Sequence, residues 1–186
     1  ALSEAADGAG AGHHCVFGVI LGTGCGGGIV IGGQVLAGRN RIAGEWGHTC
    51  LPQPRADEYP LRRCWCGQDG CLELYLAGPG LAASGDAPDA AALCARADAG
   101  DAAARAALDR HADRLARGLA GILNVLDPDI VVLGGGLSNM AHLYEQVPAL
   151  MRGYVFSDTA ATPVVRNQHG DSSGVRGAAW LWPVDG

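Results

Sequence analysis

The sequence predicts an α/β lobe in which a three-stranded meander is followed by helices and then by two strand-helix units, the order βββ, helices, βαβα. Three observations lead there. Apolar runs at 15–22, 27–33 and 34–38 are separated by glycine pairs suited to tight turns. The segment 101–126 repeats Ala104, Leu108, Leu115, Leu119, Ile122 and Leu126 at helical spacing, with charges on the other face. "DIVVLGGG" at 129–136 is a short apolar strand running into glycines. A meander followed by crossover units describes a mixed sheet covered by helices.

Taken in order, residues 1–6 read as the tail of a helix and "DGAGAG" at 7–12 as a flexible break, so that 1–12 is linker and 13–186 the lobe. The three strands follow. From 39 to 69 there is no periodicity, and Pro52, Pro54 and Pro60 interrupt the chain; an irregular stretch of this length needs its own source of order. "CLELYLAGPGLA" reads as a short helix stopped near Gly78-Pro79, and a helix at about 88–98 turns Leu93 and Cys94 inward. Asp127-Pro128 ends the long helix. Beyond the 129–136 strand, Ser138 or Asn139 stands near the N-cap of a helix through Leu143 and Val147; "TPVVRN" forms a last strand and "SSGVRGAAWLW" a last helix.

The composition narrows the function classes. With 186 residues, 48% of them hydrophobic, the chain can bury one substantial core. No apolar run approaches the roughly 20 residues that span a bilayer, and "ALSEAADGAGAGHH" lacks the pattern of a secretory leader, so a cytoplasmic protein without a membrane partner is expected. A net charge of -6 without clustered cations argues against a nucleic-acid partner. Every cation is an arginine, and the absence of lysine excludes a Walker P-loop and Schiff-base chemistry within these residues.

Seven cysteines, an odd number with one tight group, suit a reduced protein holding a metal. Cys64, Cys66 and Cys71 in "CWCGQDGCLE" have the spacing C-x-C-x4-C, and Gly67 and Gly70 let the chain turn so that three sulfurs converge. His48 in "GEWGHTC" would complete a closed Cys3His zinc site; His13, His14, His111, His142 and His169 are also available as a fourth ligand. Zinc would order the 39–73 segment.

"GEWGH" followed by "CWCGQDGCLE" resembles the signature of the ROK family of sugar kinases and sugar-responsive repressors, and the likeness extends along the chain. The closing "HGDSSGVRGAAWLWP" looks most like the bacterial fructokinases of that family. The resemblance implies an actin-like ATPase (ribonuclease H-like) lobe with a zinc-stapled loop, in which His48, Cys64, Cys66 and Cys71 hold zinc and Glu45, His48 and Glu73 line a hexose pocket. Without it, Glu45 reads as a solvated surface acid and Glu73 as a first-turn helix acid.

Two glycine clusters remain. "GTGCGGG" at 22–28 formally matches G-x-G-x-x-G, but a strand follows instead of a helix, so the dinucleotide reading fails on context. A strand-turn-strand loop of this kind, with Gly22, Thr23, Gly24 and Gly26, still makes an anion nest and resembles the second phosphate-binding hairpin of the superfamily. Gly134, Gly135 and Gly136 end a strand and open a helix, and the resemblance turns this loop toward the adenosine of ATP. His111 reads as solvated on the polar side of the long helix. Asp171, Ser172 and Ser173 read as helix caps, and with His169 they suggest a triad only superficially.

The resemblance implies an ATP-dependent, Mg2+-requiring hexose kinase, first of all one converting fructose to fructose 6-phosphate. Glucokinase, mannokinase, N-acetylhexosamine kinase and the sugar-sensing lobe of a repressor are the alternatives. No catalytic residue is expected within the chain: the base, an Asp, would lie just upstream of Ala1, and the first phosphate loop further upstream in an N-terminal lobe. The chain alone would then be inactive. A homodimer is common in the family.

Overall fold

Among the described residues, the apolar run Cys15–Leu21 forms the centre of a five-stranded mixed sheet, buried from Val16 to Val19 and at Leu21. The computed structural model describes residues 1–181; the expected end of the last helix, at Trp182, lies outside the described residues. Strands β1 (Cys15–Leu21), β2 (Cys25–Ile31) and β3 (Gln34–Val35) make the antiparallel meander, with Leu21 facing Cys25 and Cys15 facing Ile31. Strand β4 (Ile130–Gly134) pairs in parallel with β1, and β5 (Val164–Arg166) in parallel with β4. The sheet order is β3-β2-β1-β4-β5.

Among the described residues, seven helices complete the order βββ, helices, βαβα: α1 (Leu2–Asp7), α2 (Glu73–Leu76), α3 (Gly78–Ser84), α4 (Ala90–Asp98), α5 (Ala102–Leu126), α6 (Ala141–Met151) and α7 (Ser173–Ala179). One face of the sheet buries Phe17, Val19, Leu21, Val131 and Leu133 against α5 and its neighbours. The other face, Val16, Val30, Ile130 and Val132, is covered by Ala1, Leu2 and Ala5 of the α1 segment. Asp101 starts α5 by accepting the backbone N–H groups of Ala103 and Ala104, and Asp127 ends it with a left-handed φ of 46°.

Several expectations need correction. The short helix does stop near Gly78-Pro79, α2 ending at Leu76, but a second helix that was not expected starts there: Pro79 sits in the first turn of α3, where its missing N–H is no loss. Met140 is the N-cap of α6; the Ser138 hydroxyl instead donates to Gly135 O within a 3-10 turn, Gly136–Asn139, and Asn139 Nδ2 donates to Gly136 O. Ser173 does not cap α7 either. Its hydroxyl donates to Glu4 Oε1 at 2.6 Å, while the Ser3 hydroxyl donates to the Ser173 carbonyl, binding α1 to α7.

The charged face of α5 is also covered. His111 is fully buried, its Nε2–H donating to Leu76 O, because α2 packs over that side of the helix. Asp113, Arg114 and Arg117 are buried as well. Glu58, from a 3-10 turn at Ala56–Glu58, accepts Arg114 Nε and Arg117 Nη2 on one oxygen, both at 2.7 Å, and Arg117 Nη1 on the other at 2.9 Å. Arg117 also donates to the carbonyls of Pro52 and Gln53. The proline-rich stretch is therefore fastened to α5 by ions.

Candidate functional site

Trp46 seats the "GEWGH" segment. It is 2% exposed, packs edge-on against Phe17 and donates its indole N–H to Gly26 O. Gly47 lies so close to β2 that a Cβ there would collide with the Cys25 carbonyl, which leaves glycine as the residue that permits this approach. Glu45 and His48 project from the two ends of the resulting 3-10 turn, Trp46–His48. Residues 49–51 and 70–72 then pair: Leu51 N–H donates to Gly70 O, and Leu72 N–H to Thr49 O. A tight turn, with Gly67 N–H on Cys64 O and Cys64 N–H on Gln68 O, folds the cysteines back.

These turns bring His48, Cys64, Cys66 and Cys71 together, with one ligand atom from each lying within 4.8 Å of all the others. Cys64 Sγ stands 3.7 Å from His48 Nδ1, and Cys66 Sγ 3.5 Å from Cys71 Sγ. A tetrahedral ion with Zn–S bonds of about 2.3 Å requires ligand separations of roughly 3.8 Å, so the donor set fits zinc by number, chemistry and spacing. The backbone N–H of Gln68 holds the Cys66 thiol down at about 7, whereas burial pushes Cys71 up to about 12.

Glu73 joins this cluster to the glycine hairpin. Standing first in α2, it accepts the backbone N–H of Cys25 on Oε2 at 3.0 Å and the indole N–H of Trp65 on Oε1 at 3.1 Å. Trp65, between two of the cysteines, meets the His48 ring edge-on with centroids 5.1 Å apart. Glu45 is exposed, and His48 and Glu73 are half-buried, so all three retain access to solvent.

Across the hairpin lies a cleft of about 1030 Å³ between α3, α4, α6 and the turn after β4. Gly22, Thr23 and Gly136 line it. Gly24 and Gly26 do not, Gly26 being paired with Ile20 inside the sheet; Gly134 closes β4 opposite the same residue. Gly135, at φ +81°, brings its Cα against β1, where a Cβ would stand 2.5 Å from Leu21 O.

Asn139, expected at the helix start that follows the 134–136 glycines, also lines the cleft, whereas sequence reasoning missed His142 as a lining residue. Burial lowers the pKa of His142, and its Nε2 has no partner among the described residues. The helical spacing of Leu143 and Val147 placed His142 on the accessible side of α6, the signal that could have found it. His13 and His14 precede the central strand β1, with His14 beside Gly32 in the turn after β2, and His169 bonds Asp7 at 2.7 Å, so these histidines stand apart from the cysteines. Of the described residues, no helix is long and apolar enough to cross a membrane.

The whole arrangement has relatives. The ROK family model matches residues 1–184. An N-acetyl-D-glucosamine kinase of Salmonella newport is 41% identical over 197 residues, which span 100% of this chain and 64% of that protein. The solved ROK hexokinase of Thermus thermophilus superposes with a TM-score of 0.84 at 34% identity, over 97% of this chain and 60% of its own. A ROK glucokinase of Streptomyces griseus, solved with glucose and AMPPNP, gives 0.81 at 29% identity, over 97% and 64%. The chain thus spans under two thirds of the length of these relatives. With the family model matching nearly end to end and the fold shared with solved members, the chain belongs to the ROK family.

Proposed function

We propose that this chain is the sugar-, zinc- and nucleotide-binding lobe of an ATP-dependent hexose kinase. The observation that carries the proposal is the placement of Glu73. Its carboxylate is held by Cys25 N–H of the glycine hairpin and by the indole N–H of Trp65 from the turn that carries the cysteine cluster, and Gly22 and Thr23 of the same hairpin line the large cleft. A hexose on the cluster side and a triphosphate on the cleft side would then meet across one rigid turn.

In this reading Glu45 and Glu73 each accept hydrogen bonds from neighbouring sugar hydroxyls, and His48 adds a directional contact. Gly22, Thr23 and the turn at Gly136 lie where a nucleotide with its Mg2+ would be cradled. Zinc held by His48, Cys64, Cys66 and Cys71, a closed set, supplies rigidity and fixes the imidazole plane. The proton of the attacking hydroxyl is assigned to an Asp preceding Ala1, by resemblance to the family, so the chain alone is expected to bind and not to turn over.

The choice of sugar rests on the relatives. N-acetyl-D-glucosamine kinase, hexokinase and glucokinase, as named above, favour an aldohexose or its N-acetyl derivative; none of the three is named a fructokinase. Calorimetric titration with N-acetyl-D-glucosamine, D-glucose and D-fructose tests this. Binding of the first or second is expected, weakened at least about tenfold by Glu73→Gln through loss of a charged acceptor. If none of the sugars binds, either to this chain or to the protein extended upstream, the sugar-kinase reading fails. ATP-dependent phosphorylation by the 186 residues alone would overturn the assignment of the base.

A further inference from the structure

We infer that Trp65 is a further substrate-contacting residue, the apolar wall of the sugar site, whose indole lies against a C–H face of the pyranose ring. The inference rests on the reading that Glu73 and His48 face the sugar. Trp65 is 80% exposed although its side chain is among the largest apolar surfaces a chain can present to water. It is nonetheless not loose: its N–H donates to Glu73 Oε1 at 3.1 Å, and its ring meets His48 edge-on at 5.1 Å and 87°. Its backbone runs between Cys64 and Cys66, two members of the ligand cluster, so the indole is mounted on a turn that a bound metal would make rigid.

The chemistry matches a hexose. A pyranose offers a rim of hydroxyls and two faces of C–H groups. A site that reads it needs carboxylates or an imidazole for the rim and a flat apolar surface for a face. Glu45, Glu73 and His48 supply the former; Trp65, touching both Glu73 and His48, is the exposed aromatic placed to supply the latter. Its N–H also orders the Glu73 oxygen that a sugar hydroxyl would share, since a carboxylate oxygen has two acceptor sites.

The test combines calorimetry with tryptophan emission, using N-acetyl-D-glucosamine and D-glucose as probes and zinc content as the control for an intact loop. Trp65→Ala should weaken sugar binding about tenfold or more with one zinc per chain retained, and Trp65→Phe, which keeps a ring, should recover most of the loss. With Trp180 and Trp182 both replaced by Phe, saturating sugar should protect the emission from acrylamide quenching, and this protection should vanish when Trp65→Phe is added, because the remaining Trp46 is already buried. Sugar that binds the wild type without protecting any emission, or with the same affinity in all three proteins, overturns the role of Trp65 and leaves the kinase reading standing. Absence of sugar binding to the wild type, alone and extended upstream, sinks the kinase reading itself.

Discussion

Glu58 is the residue whose removal should cost most. Burial by itself would raise its pKa, but hydrogen bonds from Arg117 and Arg114 and from the Arg55 backbone hold the carboxyl down, from 4.5 to about 2. Glu58→Gln leaves the buried Arg114 without its counter-ion and Arg117 with Asp113 alone, and breaking a buried pair from one side destabilises by about 3 kcal/mol. Urea unfolding at pH 7 should show that loss as a lower midpoint with an unchanged slope. Because the folded pKa is depressed, the contribution of Glu58 is complete above pH 4.5 and disappears as pH falls toward 2.

His111 acts at a higher pH. Burial lowers its pKa from 6.5 to about 4, so it stays neutral in the fold while the unfolded chain takes up a proton. Stability should therefore begin to fall as pH drops below 6.5 and go on falling to about 4. A series of unfolding midpoints against pH should show this slope, and it should flatten in His111→Gln. None of this was legible locally: helical periodicity placed His111 and the arginines on a polar face, and the groups that cover them come from segments 35 to 65 residues away.

At the scale of elements, the 39–73 segment is fixed in two places by different chemistry. The ligand cluster holds the stretch from Cys64 to Cys71, whereas Glu58 and Arg117 hold the stretch from Pro52 to Glu58. Chelation should separate the two. With EDTA, amide exchange should accelerate at 61–72 while 55–60 stays protected, and in Glu58→Gln with metal present the pattern should reverse. The cysteine group was readable because its spacing and its glycines are local features, and the fold brings the predicted four side chains together. The second fastening pairs a loop acid with a helix arginine, and no sequence spacing announces that.

At the scale of the molecule, the order βββ, helices, βαβα was readable from the apolar runs, since a strand buried on both faces has little freedom in its composition. What was not readable was how the two ends of the lobe meet. Glu4, 3% exposed, accepts the backbone N–H groups of Ala9, Gln168 and His169 and the Ser173 hydroxyl; against the opposing effect of burial, these hold its carboxyl at about 2. Three of those four donors lie at least 164 residues along the chain. During synthesis, at roughly 5–20 residues per second, the carboxylate of Glu4 waits about 10–30 s for them to be made. Until then α1 cannot settle as it does in the finished lobe, and the apolar face of the sheet beneath it has no fixed cover. Of the helices described, α1 is made before those it is tied to and is thus among the last to be locked, and the side of the sheet where it will finally lie stays open until the segment from Gln168 to Ser173 has been made.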